Sequence, residues 1–221
     1  MSPFPKYLLL AEFCIAACPS IARAQQTPDA PPAGEVHVLL YDQSQVDHEV
    51  LAQAMVTAGR ILGATGVGLT WSLCSVAREQ PADPHCRVAL QPTDFVLLIQ
   101  TGFSATVSGS ALGYATVPGR GEFGNRFSVS LERARFLAAE HNLALARVLG
   151  CGIAHEIGHL LLESQAHSAA DLMRAKWGHR EMVEAARGGL MFTTEEAGRI
   201  RAAVRARMQA TSILARSVRE S

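Results

Sequence analysis

The chain has 221 residues, and 48% of them are hydrophobic, so it can bury a core of the size that suits one domain better than two. Lys and Arg together number 20, and so do Asp and Glu, which leaves no net charge to attract nucleic acid or an anionic membrane. We therefore expect a single globular unit with no nucleic-acid partner.

Residues 1–24 have the pattern of a secretory signal peptide. Lys6 supplies a positive start, an apolar stretch covers residues 7–17, and the small residues Ala22 and Ala24 frame a cleavage site. We expect the mature chain to be secreted or periplasmic.

An alternative address for the chain stays open. Residues 15–18, Ile-Ala-Ala-Cys, resemble a bacterial lipobox, in which Cys18 would carry a lipid and tether the protein to a membrane. Glu12 interrupts the apolar stretch, which is then too short to cross a bilayer. We therefore expect no stable membrane span; the alternatives are that this segment is retained as an anchor or that Cys18 is lipidated.

Residues 25–34 are polar and Pro-rich, which predicts a flexible linker before a folded domain over 35–221. In an oxidising compartment we expect Cys74 and Cys86 to form a disulfide, because they bracket a polar, Pro-containing loop; the alternative is two free thiols. Cys151 is expected to be a small buried residue.

The first half of the domain predicts an α/β sheet with a crossover helix. Runs of β-branched and apolar residues predict strands over 35–41, 67–73 and 94–100, and an apolar side at helical spacing predicts a helix over 46–62. The strand over 94–100 is expected to be buried on both faces. A strand, helix and strand in succession imply a crossover connection.

The next segments predict two more strands and a long helix. Residues 111–118 form a short strand that ends at Pro118, which suits the edge of a sheet. Residues 125–131 alternate as a fifth strand, and a mainly helical stretch follows to residue 140. The long helix is expected to run from Asn142, as its N-cap, to Leu162.

The C-terminal part predicts two further helices. One lies near residues 180–186, and the last begins at Thr193, which has capping-box spacing to Glu196. Its apolar side, Ile200, Val204 and Met208, is expected to pack on the domain, and its many Arg residues are expected to face solvent.

The long helix carries the pentad His155-Glu156-Ile157-Gly158-His159, an H-E-x-x-H pattern. Residues four apart lie on one helix face, so both imidazoles can reach one metal ion while Glu156 faces the same open side. This is the geometry of a hydrolytic site with one Zn²⁺. The alternative is a solvated face with three polar residues, but the apolar flanks predict a buried helix.

A tetrahedral zinc with two His ligands needs a third protein ligand and one open position for water. His167 follows the helix by a short loop and is our choice. Asp171 is an alternative oxygen ligand, and so are Glu181 and Glu184 on the following helix. Glu163 is expected to be exposed.

The pentad, His167 and the nearby Met173 resemble the metzincin clan of zinc endopeptidases. The resemblance covers about residues 35–175 and implies an α/β (α+β) fold, with a mixed sheet of about five strands, a long active-site helix and a C-terminal helical part. It also implies that Met173 lies in a methionine turn beneath the metal. Metzincins place the third His six residues after the second, with a glycine three after it; this chain has Gln165 and Leu162 there.

The resemblance further implies an edge strand to which the backbone of a peptide or protein substrate adds, here Leu112, Gly113, Tyr114 and Ala115. It implies a zinc endopeptidase with Glu156 as the general base, and the signal-peptide pattern predicts that this enzyme is secreted. Two alternatives remain. One is a gluzincin-type peptidase with Glu181 or Glu184 as third ligand, and the other is a non-catalytic zinc-binding or surface interaction protein that keeps the fold.

Overall fold

A five-stranded mixed sheet lies at the centre of the fold, as the order of predicted elements indicates. The computed structural model describes residues 33–74, 83–103, 111–119 and 122–220. The predicted signal peptide, Cys18 and the linker up to residue 32 lie outside these ranges. The predicted linker's last residue, Gly34, already belongs to the first strand.

The elements agree with the predicted ones to within a few residues. In chain order they are β1 (Gly34–Asp42), α1 (His48–Gly63), β2 (Val67–Cys74), a 3₁₀ turn (Pro84–Arg87), β3 (Asp94–Gln100), β4 (Gly113–Thr116), β5 (Arg126–Ser130), α2 (Leu131–Glu140), α3 (Leu145–Leu162), α4 (His179–Arg187) and α5 (Thr194–Glu220).

The strand order across the sheet is β2-β1-β3-β5-β4. The pairs β1–β2, β1–β3 and β3–β5 are parallel, whereas β4 pairs antiparallel with β5, and no described strand pairs with its other side. Helix α1 connects the adjacent parallel strands β1 and β2, which is the predicted crossover. The mixed sheet and the edge position of β4 are confirmed.

The prediction that β3 is buried on both faces is wrong. Phe95, Leu97 and Ile99 are fully buried in the core, but Val96 and Leu98 line an open groove of about 490 Å³ on the opposite face. The core cluster joins the helices to this one face of the sheet, because it contains Phe95, Leu97 and Ile99 but neither Val96 nor Leu98. An unbroken apolar run therefore does not show how many faces of a strand are covered.

The predicted N-cap of the long helix is also wrong. Asn142 has φ 51° and lies in the turn after α2, and α3 begins three residues later at Leu145. Asn tolerates the left-handed conformation better than other non-glycine residues, so here it ends one helix instead of starting the next. By length and hydropathy α3 could cross a membrane, but 83% of it is buried within the domain.

The last helix packs on the domain through its predicted apolar side. Thr193 and Glu196 form the predicted capping box, and Ile200 and Val204 are fully buried. Met208 is 43% exposed, but its sulfur packs on Gly34 in β1, where a side chain would have no room. The predicted packing of this apolar side on the domain is confirmed.

Arg207, expected to face solvent, is instead completely buried. Its guanidinium donates to the carbonyls of Pro92, Gly124 and Leu160 at 2.8, 3.0 and 3.0 Å and lies over the rings of Phe95 and Phe123. A buried cation persists only where its donors are satisfied, and these acceptors satisfy most of them. Since Leu160 belongs to α3, Arg207 anchors the last helix to the C-terminal turn of the helix that bears the pentad.

The predicted disulfide between Cys74 and Cys86 is present. It ties the end of β2 to the 3₁₀ turn across residues 75–82, which lie outside the described ranges. Cys151 is buried as expected, and this burial raises the pKa of its thiol to about 12.

Candidate metal centre

The two histidines of the pentad lie one turn apart on α3 and are both buried, with 8% of His155 and 3% of His159 exposed. The solvated-face alternative for the pentad is therefore wrong. Each ring has its Nδ1 at 2.7 Å from a backbone carbonyl, that of Leu172 for His155 and that of Ser164 for His159. A carbonyl can only accept, so each Nδ1 carries the proton and each Nε2 presents a bare lone pair.

These two Nε2 atoms lie 3.1 Å apart. A hydrogen bond between them would require one ring to be doubly protonated. Burial works against that, because it lowers the pKa of His155 to about 3 and also lowers that of His159. Two buried lone pairs that face each other call for a cation, and nitrogen donors of this kind suit Zn²⁺.

The third imidazole comes from the loop after α3. The ring centroid of His167 lies 5.4 Å from that of His155 and 4.8 Å from that of His159. The three ligand nitrogens all lie within 4.8 Å of one another. Zinc–nitrogen bonds of about 2.1 Å place such atoms about 3.4 Å apart, so the exposed His167 needs to move inward by no more than about 1.5 Å.

The chain reaches this point without a glycine at the end of the helix. Glu163 itself adopts the left-handed conformation, with φ 49° and ψ 41°, and its exposed side chain agrees with the sequence prediction. Ser168, next to His167, donates its backbone N–H to the Met173 carbonyl at 2.9 Å and its hydroxyl to Glu196. The loop that carries His167 is thus held by a backbone hydrogen bond to Met173 and by a side-chain hydrogen bond to Glu196.

Glu156 is 4% exposed and directs its carboxylate towards the edge strand. Burial raises the pKa of this carboxyl group to about 8. Its Oε2 atom is buried with no hydrogen-bond partner among the described residues. A Cβ at Gly113 would lie 2.6 Å from Oε1, so the absence of a side chain on this strand residue makes the room that the carboxylate occupies.

A cavity of about 540 Å³ joins these groups to the edge strand. It is lined by the three histidines, Glu156 and the predicted substrate-strand residues Leu112, Gly113, Tyr114 and Ala115. Leu112 bonds to Ser130 on β5, so by the alternation of an antiparallel pair Gly113 and Ala115 direct their backbone groups to the open side. The cavity therefore adjoins a strand edge that no other described strand covers.

No protein-family model matches the chain, and no curated protein sequence matches it significantly. A solved structure of a zinc-dependent peptidase from Methanocorpusculum labreanum is similar to it with a TM-score of 0.51 and 14% identity, over 74% of this chain and 99% of that one. The chain therefore has a fold similar to that of this zinc-dependent peptidase.

Two other solved structures are similar at lower scores. An archaemetzincin from Methanopyrus kandleri has a TM-score of 0.46 and 16% identity over 77% of this chain and 96% of that one. Metalloproteinase-II from Bacteroides fragilis has a TM-score of 0.49 and 14% identity over 81% of this chain and 55% of that one. At these identities the likeness concerns the fold.

Gln165 stands at the position where the sequence resemblance to metzincins places the third histidine. Its side-chain amide donates to the Ala115 carbonyl at 2.9 Å, which is one of the backbone acceptors on the open side of β4. From the sequence, Gln165 is only the residue that replaces an expected His ligand. No sequence pattern predicts its contact with Ala115, because the two residues are 50 positions apart.

Met173, the predicted methionine-turn residue, is buried against α3, the helix that carries the pentad. Its sulfur would lie 2.5 Å from a Cβ at Gly158, so it packs directly on the turn that carries the histidines. It does not line the cavity. Its role as a floor beneath the metal stays a prediction.

Trp177 is a site residue that sequence analysis did not assign. Its Nε1 donates at 3.0 Å to the Leu172 carbonyl, the same acceptor that orients His155, and its ring meets the His155 ring edge-on at 5.7 Å. Trp177 also lines the cavity. It therefore helps to set the orientation of a candidate ligand.

The glutamates proposed as alternative third ligands do not join the histidines. Glu181 accepts from Arg174 at 2.8 Å and from the Gly178 backbone at 2.9 Å, where it caps α4. Among the described residues, the group able to hold a metal ion contains three histidines and neither Glu181, Glu184 nor Asp171. The structure therefore gives no support to a gluzincin-type site.

Proposed function

We propose that the protein is a secreted zinc-dependent endopeptidase in which His155, His159 and His167 hold one Zn²⁺ and Glu156 is the general base. The observation that carries the proposal is the pair of bare Nε2 atoms 3.1 Å apart, with both Nδ1 protons committed to backbone carbonyls. The Cys74–Cys86 disulfide supports an oxidising compartment, in agreement with the signal-like N-terminus.

Zinc at this site would supply a Lewis acid that makes a water molecule acidic near neutral pH and polarises the peptide carbonyl. The residues of the chain then divide the remaining work. The Leu172 and Ser164 carbonyls fix the tautomers of His155 and His159 so that their free lone pairs point inward.

Glu156 receives the proton that the attacking water loses and returns it to the leaving amine nitrogen. The unpartnered Oε2 atom leaves the carboxylate free to accept that proton. A cation between the imidazoles would favour the ionised form of the carboxyl group and so bring its raised pKa down towards the range in which it acts as a base.

The open side of β4 is the place where a substrate backbone would pair. Gly113 and Ala115 direct their N–H and C=O groups there, and an extended peptide can add to such an edge as a further strand once the Gln165 amide releases the Ala115 carbonyl. The peptide would then cross the 540 Å³ cavity next to Glu156 and the histidines.

Digestion of a peptide mixture by the purified chain tests this function. We expect cleavage that a chelator abolishes and added zinc restores. Glu156→Gln should bind as much zinc as the wild type and cleave nothing. A zinc-loaded wild-type protein that cleaves no peptide would instead support the non-catalytic, zinc-binding alternative.

A further inference from the structure

The cavity extends from the histidines to helix α2 and is lined there by charged side chains. Five of them contribute: Arg133, Glu140, His141, Arg174 and Lys176. Arg174 is paired with Glu181 at 2.8 Å, and the Glu140 carboxylate lies 3.8 Å from the His141 ring. Arg133 and Lys176 have no ion pair with any described residue.

Arg133 is the better fixed of these two cations. It is half-buried, and its guanidinium lies over the Phe136 ring with 4.6 Å between the guanidinium carbon and the ring centroid. Its Nε atom is buried and has no hydrogen-bond partner among the described residues. Lys176 is exposed and lies in the segment that follows Met173.

Among the described residues no carboxylate forms an ion pair with Arg133, although Glu140 lines the same cavity and Glu132 lines a smaller pocket together with Arg133 and Phe136. Glu132, the adjacent residue on α2, directs its carboxylate to Gly102 and forms no ion pair with Arg133. Residues 104–110, which follow Phe103 in the chain and lie outside the described ranges, contain no Asp or Glu. An arginine that rests on an aromatic ring and lines the cavity of the candidate zinc ligands can bind a carboxylate through two parallel hydrogen bonds.

We propose that substrates of this site carry a carboxylate close to the scissile bond and that Arg133 binds it, with Lys176 adding positive charge. The inference rests on the peptidase function proposed above and names its substrate class as acidic peptides. The carboxylate belongs to an Asp or Glu side chain or to the C-terminus of a short peptide. Both sources present the same chemistry to the guanidinium.

Matched peptides with full-length protein test the inference. One set differs only in Glu or Gln at each position flanking the cleaved bond, with blocked ends, and a second set differs only in a free or amidated C-terminus. We expect kcat/KM to be about tenfold higher or more for the carboxylate member of at least one pair. Arg133→Gln should reduce that ratio to near one, whereas Arg135→Gln, on the same helix but outside the cavity, should leave it unchanged.

A second measurement separates this inference from the peptidase function. Binding of the same peptides, fluorescently labelled, is measured on zinc-loaded Glu156→Gln with and without Arg133→Gln. Preferred binding of the carboxylate peptides that is lost with Arg133 supports the inference even if the wild type cleaves nothing. The inference is overturned if proteins that keep Arg133 cleave or bind the peptides without any preference for the carboxylate member. This outcome is measured without an Arg133 variant, so it does not depend on whether that variant folds.

Discussion

Gly113→Ala tests whether the backbone of β4 positions the general base. The new methyl group would lie 2.6 Å from Glu156 Oε1, 2.8 Å from its Cγ and 2.8 Å from the Ser128 carbonyl oxygen. The Ser128 carbonyl is part of the neighbouring strand and cannot withdraw. The Glu156 side chain must therefore move.

The size of the effect follows from these distances. Ordinary contact begins near 3.4 Å, so Oε1 must retreat by about 0.8 Å from its 2.6 Å position. A misplacement of about 1 Å in a catalytic group costs roughly 100-fold in rate. The contact with the Ser128 carbonyl adds an overpacking cost of about 1–3 kcal/mol to the free energy of folding.

The assay is kcat/KM on a cleaved peptide, together with zinc content and the midpoint of urea unfolding. Gly113→Ala should lose about 100-fold in kcat/KM and keep its zinc, because no histidine is touched. Gly119→Ala is the matched control, since a Cβ there meets nothing within 4 Å. Wild-type activity and stability in Gly113→Ala would refute the placement of Glu156 against β4.

Three further predictions concern the third zinc ligand, the buried Arg207 on α5 and the pH dependence of stability. His167→Ala should weaken zinc binding by on the order of 100-fold or more, whereas Glu181→Gln should leave zinc affinity unchanged in a competition titration; the reverse result would revive a glutamate ligand. Arg207→Met should lower the free energy of unfolding by about 3 kcal/mol, because three buried carbonyls lose their donor, while the exposed Arg205→Met should change it little; equal effects in denaturant titrations would contradict the anchoring role. In the metal-free protein, the pKa of Glu156 is raised from 4.5 to about 8, so its contribution to stability is complete below pH 4.5 and is lost as the pH rises to about 8. Wild type should lose about 2 kcal/mol relative to Glu156→Gln between pH 6 and 8 in chelator, and a parallel pH dependence of the two would show that this carboxyl group is not buried as described.

Features that depend on short-range periodicity could be predicted from the sequence. The H-E-x-x-H spacing places two rings on one helix face whatever surrounds it, and the capping box at Thr193 and Glu196 is a local device. The short strand ending at Pro118 is likewise recognisable as an edge strand, because proline cannot continue a ladder on both sides.

Features that depend on what lies across the fold could not be predicted. Arg207 belongs to a helix with many Arg residues, and only the arrival of three distant carbonyls distinguishes it from its solvated neighbours. The exposed face of β3 follows from which face the helices cover. Asn142 is a residue type that often begins a helix, but in the tight connection between α2 and α3 it adopts a left-handed turn conformation instead.

The site itself falls between these two cases. His167 could be proposed from its distance to the helix, but its approach depends on the left-handed Glu163 and on the contacts of Ser168. The contact of Gln165 with Ala115 and that of Trp177 with the Leu172 carbonyl join segments whose relative position no spacing rule gives.

Zinc stoichiometry is the measurement that tests the central claim most directly. After removal of metal and dialysis against a zinc-containing buffer at neutral pH, elemental analysis should find about one zinc ion per wild-type chain and per Glu156→Gln chain, and essentially none per His159→Ala chain. A folded wild-type chain that takes up no zinc, or a His159→Ala chain that takes up as much as the wild type, would contradict the account.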